Sequence, residues 1–330
     1  MATDVATAPM ENAAVDGGPD RAGLHPDDPE GWQPIQEFLG RPVEVVRVLR
    51  ADGRLERITT HLRGQRGPGS HHGPEWLQFP NGVSKLRQVW VEGVLEGPFS
   101  TYWNIGLIRT EGVYRQGQRH GSFYQYHRNG DRQHHYEYVD GVPEGTWREW
   151  YVGNVLGLEE TYVAGRKQGP FRKWARPETG DDGEPLLDAE PVLEREAIYV
   201  DNLENGLLTD YWPSSGCVRR KGLMEDGQMV GTWILNFEDG TLKAERNFVG
   251  GQLEGLETVY DETGSRIAEN NYVAGSREGV QRNWYPNGQL QREGKMVGGL
   301  AEGYWSYFSP DGSPNDAWSG TYKAGHLIDE

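Results

Sequence analysis

Six glutamates, Glu111, Glu159, Glu196, Glu245, Glu269 and Glu293, recur at equivalent places along the chain, and carboxylates in series raise the question of acid–base chemistry. A retaining glycosidase pair needs its two carboxyls about 5 Å apart. Glutamates on successive hairpins would instead stand roughly 10 Å apart, the advance of two strands at about 4.8 Å each. Such a row suits solvated acids paired with arginines of adjacent strands, such as Arg246 or Arg292, better than one active site. Histidines raise metal binding: His71-His72 and His134-His135 are adjacent pairs, and His127 lies one strand before the second. Three imidazoles can hold zinc, but neighbours on a strand point to opposite faces, so only one of each pair could join. Residues 64–69, Gly-Gln-Arg-Gly-Pro-Gly, imitate a phosphate-cradling loop without the Lys-Ser/Thr and the following helix that make one work. They read as a flexible join. Cys217, the only cysteine, stands beside Gly216 with no histidine recurring near it. No catalytic residue, metal or cofactor is expected, and the chain reads as non-enzymatic.

What places these side chains is a repeat. Residues 279–302 read Gly-Val-Gln-Arg-Asn-Trp-Tyr-Pro-Asn-Gly-Gln-Leu-Gln-Arg-Glu-Gly-Lys-Met-Val-Gly-Gly-Leu-Ala-Glu, and most of the chain is loose copies of them. Counting from the first glycine, a unit has an aromatic near position 6, Asn-Gly or Asp-Gly ending at position 10, and Glu-x-x-aromatic near positions 15 to 18. Units start at Gly73, Gly97, Gly121, Gly145, Gly169, Gly206, Gly231, Gly255, Gly279 and Gly303. The step is 24 residues, except 25 after Gly206 and 37 after Gly169.

Each unit reads as strand, turn, strand. Runs such as Thr146-Trp147-Arg148-Glu149-Trp150-Tyr151 are aromatic and β-branched, with no helical period. Asn81-Gly82, Asn129-Gly130, Asp239-Gly240, Asn287-Gly288 and Asp311-Gly312 stand where type I′ hairpin turns are expected. The expected fold is all-β: an elongated, single-layer array of about ten hairpins, a twisted rod on the order of 95 Å long.

Around the array, residues 1–31 read as a disordered acidic tail, since they have almost no large apolar side chains. Residues 32–72 read as an N-terminal cap: a short helix over 32–39, a degenerate unit over 43–65 and a loop over 66–72. The array fills 73–330 and carries an acidic insertion at about 178–194. Of the formal charge of -17, residues 1–30 hold seven acids against Arg21, and residues 178–204 hold ten against Arg195. The repeats are therefore close to neutral. Nucleic acid, which needs a basic surface, is excluded as a partner, and membrane binding lacks the basic stripe that anionic lipid demands. A single cysteine, no apolar run of spanning length and no secretion signal point to the cytoplasm.

The pattern Gly-x-Trp/Phe-x-x-Tyr/Trp, Asn-Gly-x-Leu, Glu-x-x-Tyr-x-x-Gly, seen at 145–165 and 231–251, resembles the MORN repeat. It is similar to bacterial MORN-variant proteins commonly assigned as antitoxins of toxin–antitoxin systems. The resemblance covers about residues 73–330 and implies a hairpin array that binds another protein, with a basic toxin or effector as one partner class. The chain departs from the pattern at position 3, where Glu257 and Gln281 replace the aromatic, at 177–194, and at 313–317.

Two aromatic rows follow from the repeat. Position 6 carries Tyr102, Tyr126, Trp150, Trp174, Tyr211, Tyr260, Trp284 and Phe308, while position 3 carries Phe99, Phe123, Trp147, Phe171 and Trp233 on the opposite face. One row must be dry, and the more exposed one is expected to anchor a partner. Asp181, Asp182, Glu184, Asp188 and Glu190 in the insertion are expected to steer a basic protein. The alternative is a scaffold whose copies pair with one another as a homodimer.

Overall fold

Short β-branched and aromatic runs between glycine-rich turns favour hairpins. The structure, a computed structural model, describes residues 35–180, 186 and 190–328. The tail at 1–31 and the acids Asp181, Asp182, Glu184 and Asp188 lie outside the described residues. The described residues form 28 strands, one 3-10 turn at Pro68–Ser70 and no α-helix. They fall into two compact units. One comprises the described residues of Met1–Gly157, Tyr162–Gly165 and Pro177–Leu187, the other those of Leu158–Thr161, Arg166–Arg176 and Asp188–Glu330.

The first unit opens with the degenerate hairpin, Arg41–Leu49 against Leu55–Leu62. Across the loop containing the 3-10 turn, Leu55–Leu62 pairs with Gly73–Gln78. The strands Ser84–Val91, Gly97–Tyr102, Ile108–Arg115, Gln118–Tyr126, Arg132–Val139 and Val142–Tyr151 follow, each antiparallel to its predecessor. The helix expected over 32–39 is corrected for its described part. Leu39 and Gly40 are both left-handed, so the chain reverses at once and Glu37–Phe38 pairs as a short strand with Arg41 and Pro42. The Phe38 ring packs against the loop before the first full repeat, 5.5 Å from that of His72.

The second unit runs from Arg166–Trp174, paired with Leu193–Val200 across the insertion. Gly206–Tyr211, Val218–Glu225, Gln228–Asn236, Leu242–Val249, Gly255–Tyr260, Arg266–Val273, Gly279–Trp284, Leu290–Val297 and Leu300–Tyr307 continue the antiparallel series. Gly320–Lys323 and His326–Ile328 complete it after the padded stretch that bridges Phe308 to Pro314.

The turn chemistry differs from the expectation. At Pro80-Asn81-Gly82 only the glycine is left-handed (φ 83°), Gly82 N donates to Phe79 O, and Phe79 N donates to Val83 O. This is a three-residue loop: a type I turn with proline in its first central place, then a glycine bulge. Asn129, Asp239, Asn287 and Asp311 likewise have negative φ. The two-residue I′ turns lie at the other end of each unit, as at Glu92-Gly93 (φ 51° and 81°), where Val91 pairs with Val94. The Asn-Gly dipeptides look like I′ signals, but the strands are one residue out of step there, as the break between Leu77 and Gln78 records.

Candidate partner-binding face

Antiparallel register sorts the side chains onto two faces, and position 3 lies on the drier one, although Phe99, Trp147 and Phe171 in that row are half-buried. Phe123, Trp233 and Trp305 are 3 %, 1 % and 3 % exposed. Each lies on a glycine of the preceding unit: a Cβ at Gly112, Gly222 or Gly294 would come within 2.6, 2.3 or 2.0 Å of the ring. The indole Nε1 of Trp147, Trp233 and Trp305 then donates to the carbonyl of Glu137, Leu223 and Lys295. In the first unit the position 3 rings interleave with position 18 tyrosines. Phe99, Tyr114, Phe123, Tyr138, Trp147 and Tyr162 stand with successive centroids 4.5 to 5.7 Å apart.

Where position 3 is polar, the packing question raised by Glu257 and Gln281 is answered by hydrogen bonds. Glu257, 5 % exposed, accepts from Arg246 Nε at 2.6 Å, Asn270 Nδ2 at 2.9 Å and the Tyr272 hydroxyl at 3.2 Å. Glu75 repeats the arrangement in the first unit, with Gln88 and Trp90 donating to Oε2 and Arg57 3.7 Å away. Gln281 takes the indole's place, its Nε2 donating to Asn271 O at 3.0 Å. Next to this row Asp210, 2 % exposed, bonds Arg195 and Arg220, each at 2.6 Å. Burial pushes its carboxyl up, but the two guanidiniums overcome this and hold it below the ordinary range. Glu257, Glu75 and Asp210 thus sit in hydrogen-bonded networks, the form in which a charge can be kept inside a protein, whereas the Gln281 Oε1 is buried without a hydrogen-bond partner.

The opposite face carries position 6. Tyr102, Tyr126 and Trp150 in the first unit, and Trp174, Tyr211, Tyr260 and Trp284 in the second, are all half-buried. Arg87 stacks 5.3 Å from the Tyr102 ring and Arg266 4.2 Å from Trp284. The Tyr126 hydroxyl donates to Glu111 and the Tyr211 hydroxyl to Glu196. Burial and then that glutamate push the Tyr211 phenol up to about 12 and raise that of Tyr126 as well. The glutamate row thus lies on this face, but its arginine partners need correcting. Arg172 bonds Glu196 and approaches Glu159; Arg282 bonds Glu293 and approaches Glu269. Arg246 turns to the dry face, and Arg292 bonds Asn283.

Towards the I′ turns the same face becomes aliphatic, which the sequence reading missed. In the second unit twelve apolar side chains here are 39 to 66 % exposed, among them Leu207, Leu223, Val249, Leu256, Val273 and Tyr304. Valine before most I′ turns was the available signal, at 91, 139, 163, 200, 249, 273 and 297. Also missed was the residue before each unit glycine. Glu96, Glu144, Glu254, Glu278 and Glu302 accept the backbone N–H of Gln116, Ala164, Ala274, Gly298 and Ala324.

His127, His134 and His135 each take a different partner. His134 Nδ1 bonds Gln125, His127 Nε2 bonds Trp150 O, and His135 stacks on Tyr124 at 4.6 Å. Among the described residues no three potential ligands group for a metal. His61 Nδ1 stands 2.8 Å from Ser70 Oγ, but that serine is buried and its hydroxyl donates to Gly67 O. No helix of the described residues is long and apolar enough to cross a membrane.

The profile of the MORN repeat variant family matches residues 277–296, from Arg277 to Met296 of this array. No curated protein matches the chain. Among solved structures, the crystal structure of TcdB2-TccC3-Cdc42 is similar at 10% identity and a TM-score of 0.16, covering 83% of this chain and 18% of that one. The crystal structure of TcdB2-TccC3 is similar at 12% identity and a TM-score of 0.15, covering 85% and 21%. The chain spans about a fifth of the length of these structures.

Proposed function

We propose that the protein is a non-enzymatic repeat scaffold that binds another protein through the half-open aromatic row at position 6. The observation carrying this reading is the contrast between the two rows. At position 3, Phe123, Trp233 and Trp305 are consumed by packing on a glycine of the neighbouring unit, whereas at position 6 every aromatic from Tyr102 to Trp284 keeps part of its surface. Arginine stacked on tyrosine or tryptophan is the composition in which binding energy concentrates at interfaces. In the finer form of this reading, the partner is a basic toxin or effector that the chain occludes, as an antitoxin or immunity protein would. The acid-rich segments at 1–30 and 178–204 supply the opposite charge and accelerate encounter. The protein acts in the cytoplasm in this reading.

Affinity capture from native cells, followed by co-expression with any basic protein recovered, tests the proposal. Trp150→Ala and Trp284→Ala should leave the melting temperature within a few degrees of wild type and weaken the complex by roughly 10-fold or more. Deletion of residues 179–192 should weaken it at low salt and matter less at high salt. Two folded variants that bind as tightly as wild type remove the anchors, and a complex indifferent to the deletion removes the insertion.

A further inference from the structure

We propose that two copies of the chain pair face to face through the aliphatic stripe of the second unit. This goes beyond the partner-binding reading and stands without it, because the stripe occupies the half of the face near the I′ turns and not the aromatic half. Twelve apolar side chains, each 39 to 66 % exposed, lie along it between Ile198 and Tyr304. Together they leave an apolar area on the order of 800–1,000 Å², above the roughly 300–600 Å² patch of an ordinary monomer and matching the roughly 800 Å² each partner gives a standard interface.

The occupant follows from periodicity and charge. The stripe is a row of residues advancing about 9.6 Å per hairpin on a twisted sheet. A surface that follows it along its length needs the same spacing and twist, which a second copy has, and aligned sheets pack their faces together in this way. An isologous contact also sets a patch against itself, so it tolerates little charge of one sign. Several polar groups along the stripe are already occupied: Asn247 and Asn271 donate to the carbonyls of Leu256 and Val280. Glu254, Glu278 and Glu302 are turned to backbone N–H groups. At its border Asp201 is paired with Arg166 and Asp226 accepts from Asn205, and the exposed charges there also include Glu225 and Lys295. These last two have opposite sign and lie on opposite sides of Val249 and Leu256. A twofold axis passing between those two residues brings each charge towards the other's copy.

Sedimentation velocity of the full chain over a concentration series tests the pairing. Wild type should approach twice the 37.2 kDa chain mass. A Val249→Glu, Leu256→Glu variant places like charges beside the axis and should weaken pairing by about 100-fold or more, with an unchanged melting temperature. The Val249→Lys, Leu256→Lys variant should behave alike, and mixing the two should restore a species of double mass. That recovery separates a broken contact from a damaged fold. Wild type remaining at single mass throughout, folded variants that pair as well as wild type, or a mixture that stays monomeric would each overturn the proposal. A monomeric wild type leaves the reading of the aromatic row intact.

Discussion

Trp233 and Glu257 occupy the same place in consecutive repeats, and both are at least 95 % buried, yet they are kept there by different physics. Trp233 lies on Gly222, donates to Leu223 O and stands 6.3 Å from Phe248. Its burial contributes through transfer from water and close packing. Glu257 has no glycine beneath it but Arg246, and around it Asn270 and Tyr272. A buried carboxylate is tolerable only because those donors meet it. The lesson is that the repeat keeps a direction at position 3, while the residue under it and the residue at position 18 go with its polarity. Glu75, with Arg57, Gln88 and Trp90, shows the second solution again in the other unit.

Breaking the apolar version should have the largest effect. Trp233→Ala is expected to cost about 3–5 kcal/mol in chemical denaturation, since the ring is the largest fully buried side chain among the described residues. Breaking the charged version comes next. Asp210→Asn should cost about 2–4 kcal/mol at neutral pH by leaving Arg195 and Arg220 without their carboxylate. Because the folded pKa is lowered, this contribution is full above the unfolded carboxylate value near 4 and disappears as pH falls through the folded one. The variant's stability should therefore change less than wild type's below about pH 4. Glu257→Leu should cost about 2–3 kcal/mol, less than an enclosed pair because Arg246 reaches solvent. Exchanging one solution for the other sharpens the comparison. Gln281→Trp alone should destabilise by about 1–3 kcal/mol, since the new ring meets Asn270 where Trp233 meets a glycine. Adding Asn270→Gly should recover much of that loss, and a double variant no more stable than the single one would refute the glycine rule. Glu278→Ala, which removes the acceptor of Gly298 N–H, should cost about 0.5–1.5 kcal/mol, measurable as a small fall in midpoint.

Much of this was legible beforehand. The period located the hairpins, including the degenerate one paired over Val43 to Leu62, and strand alternation put positions 3 and 6 on opposite faces. The turn type at Asn-Gly was not legible from the dipeptide, because a one-residue bulge between Thr101 and Tyr102, and its equivalents elsewhere, converts a two-residue turn into three. In its described part, 35–39, the expected short helix gives way to a short strand because Leu39 takes a left-handed conformation that composition does not announce. Of the site, the aromatic row could be named but its accessibility could not, and the aliphatic stripe was hidden among valines that any strand would contain.

Local chemistry by itself determined where the chain reverses and which residues share a face, because φ preferences and the two-residue period of a strand act on near neighbours. Only the tertiary structure decided which row is dry, which acids are held by arginine and where an apolar surface stays open. Those outcomes depend on residues brought together across strands. Gly222 beneath Trp233, eleven positions away, is a space that exists only after the two strands have paired.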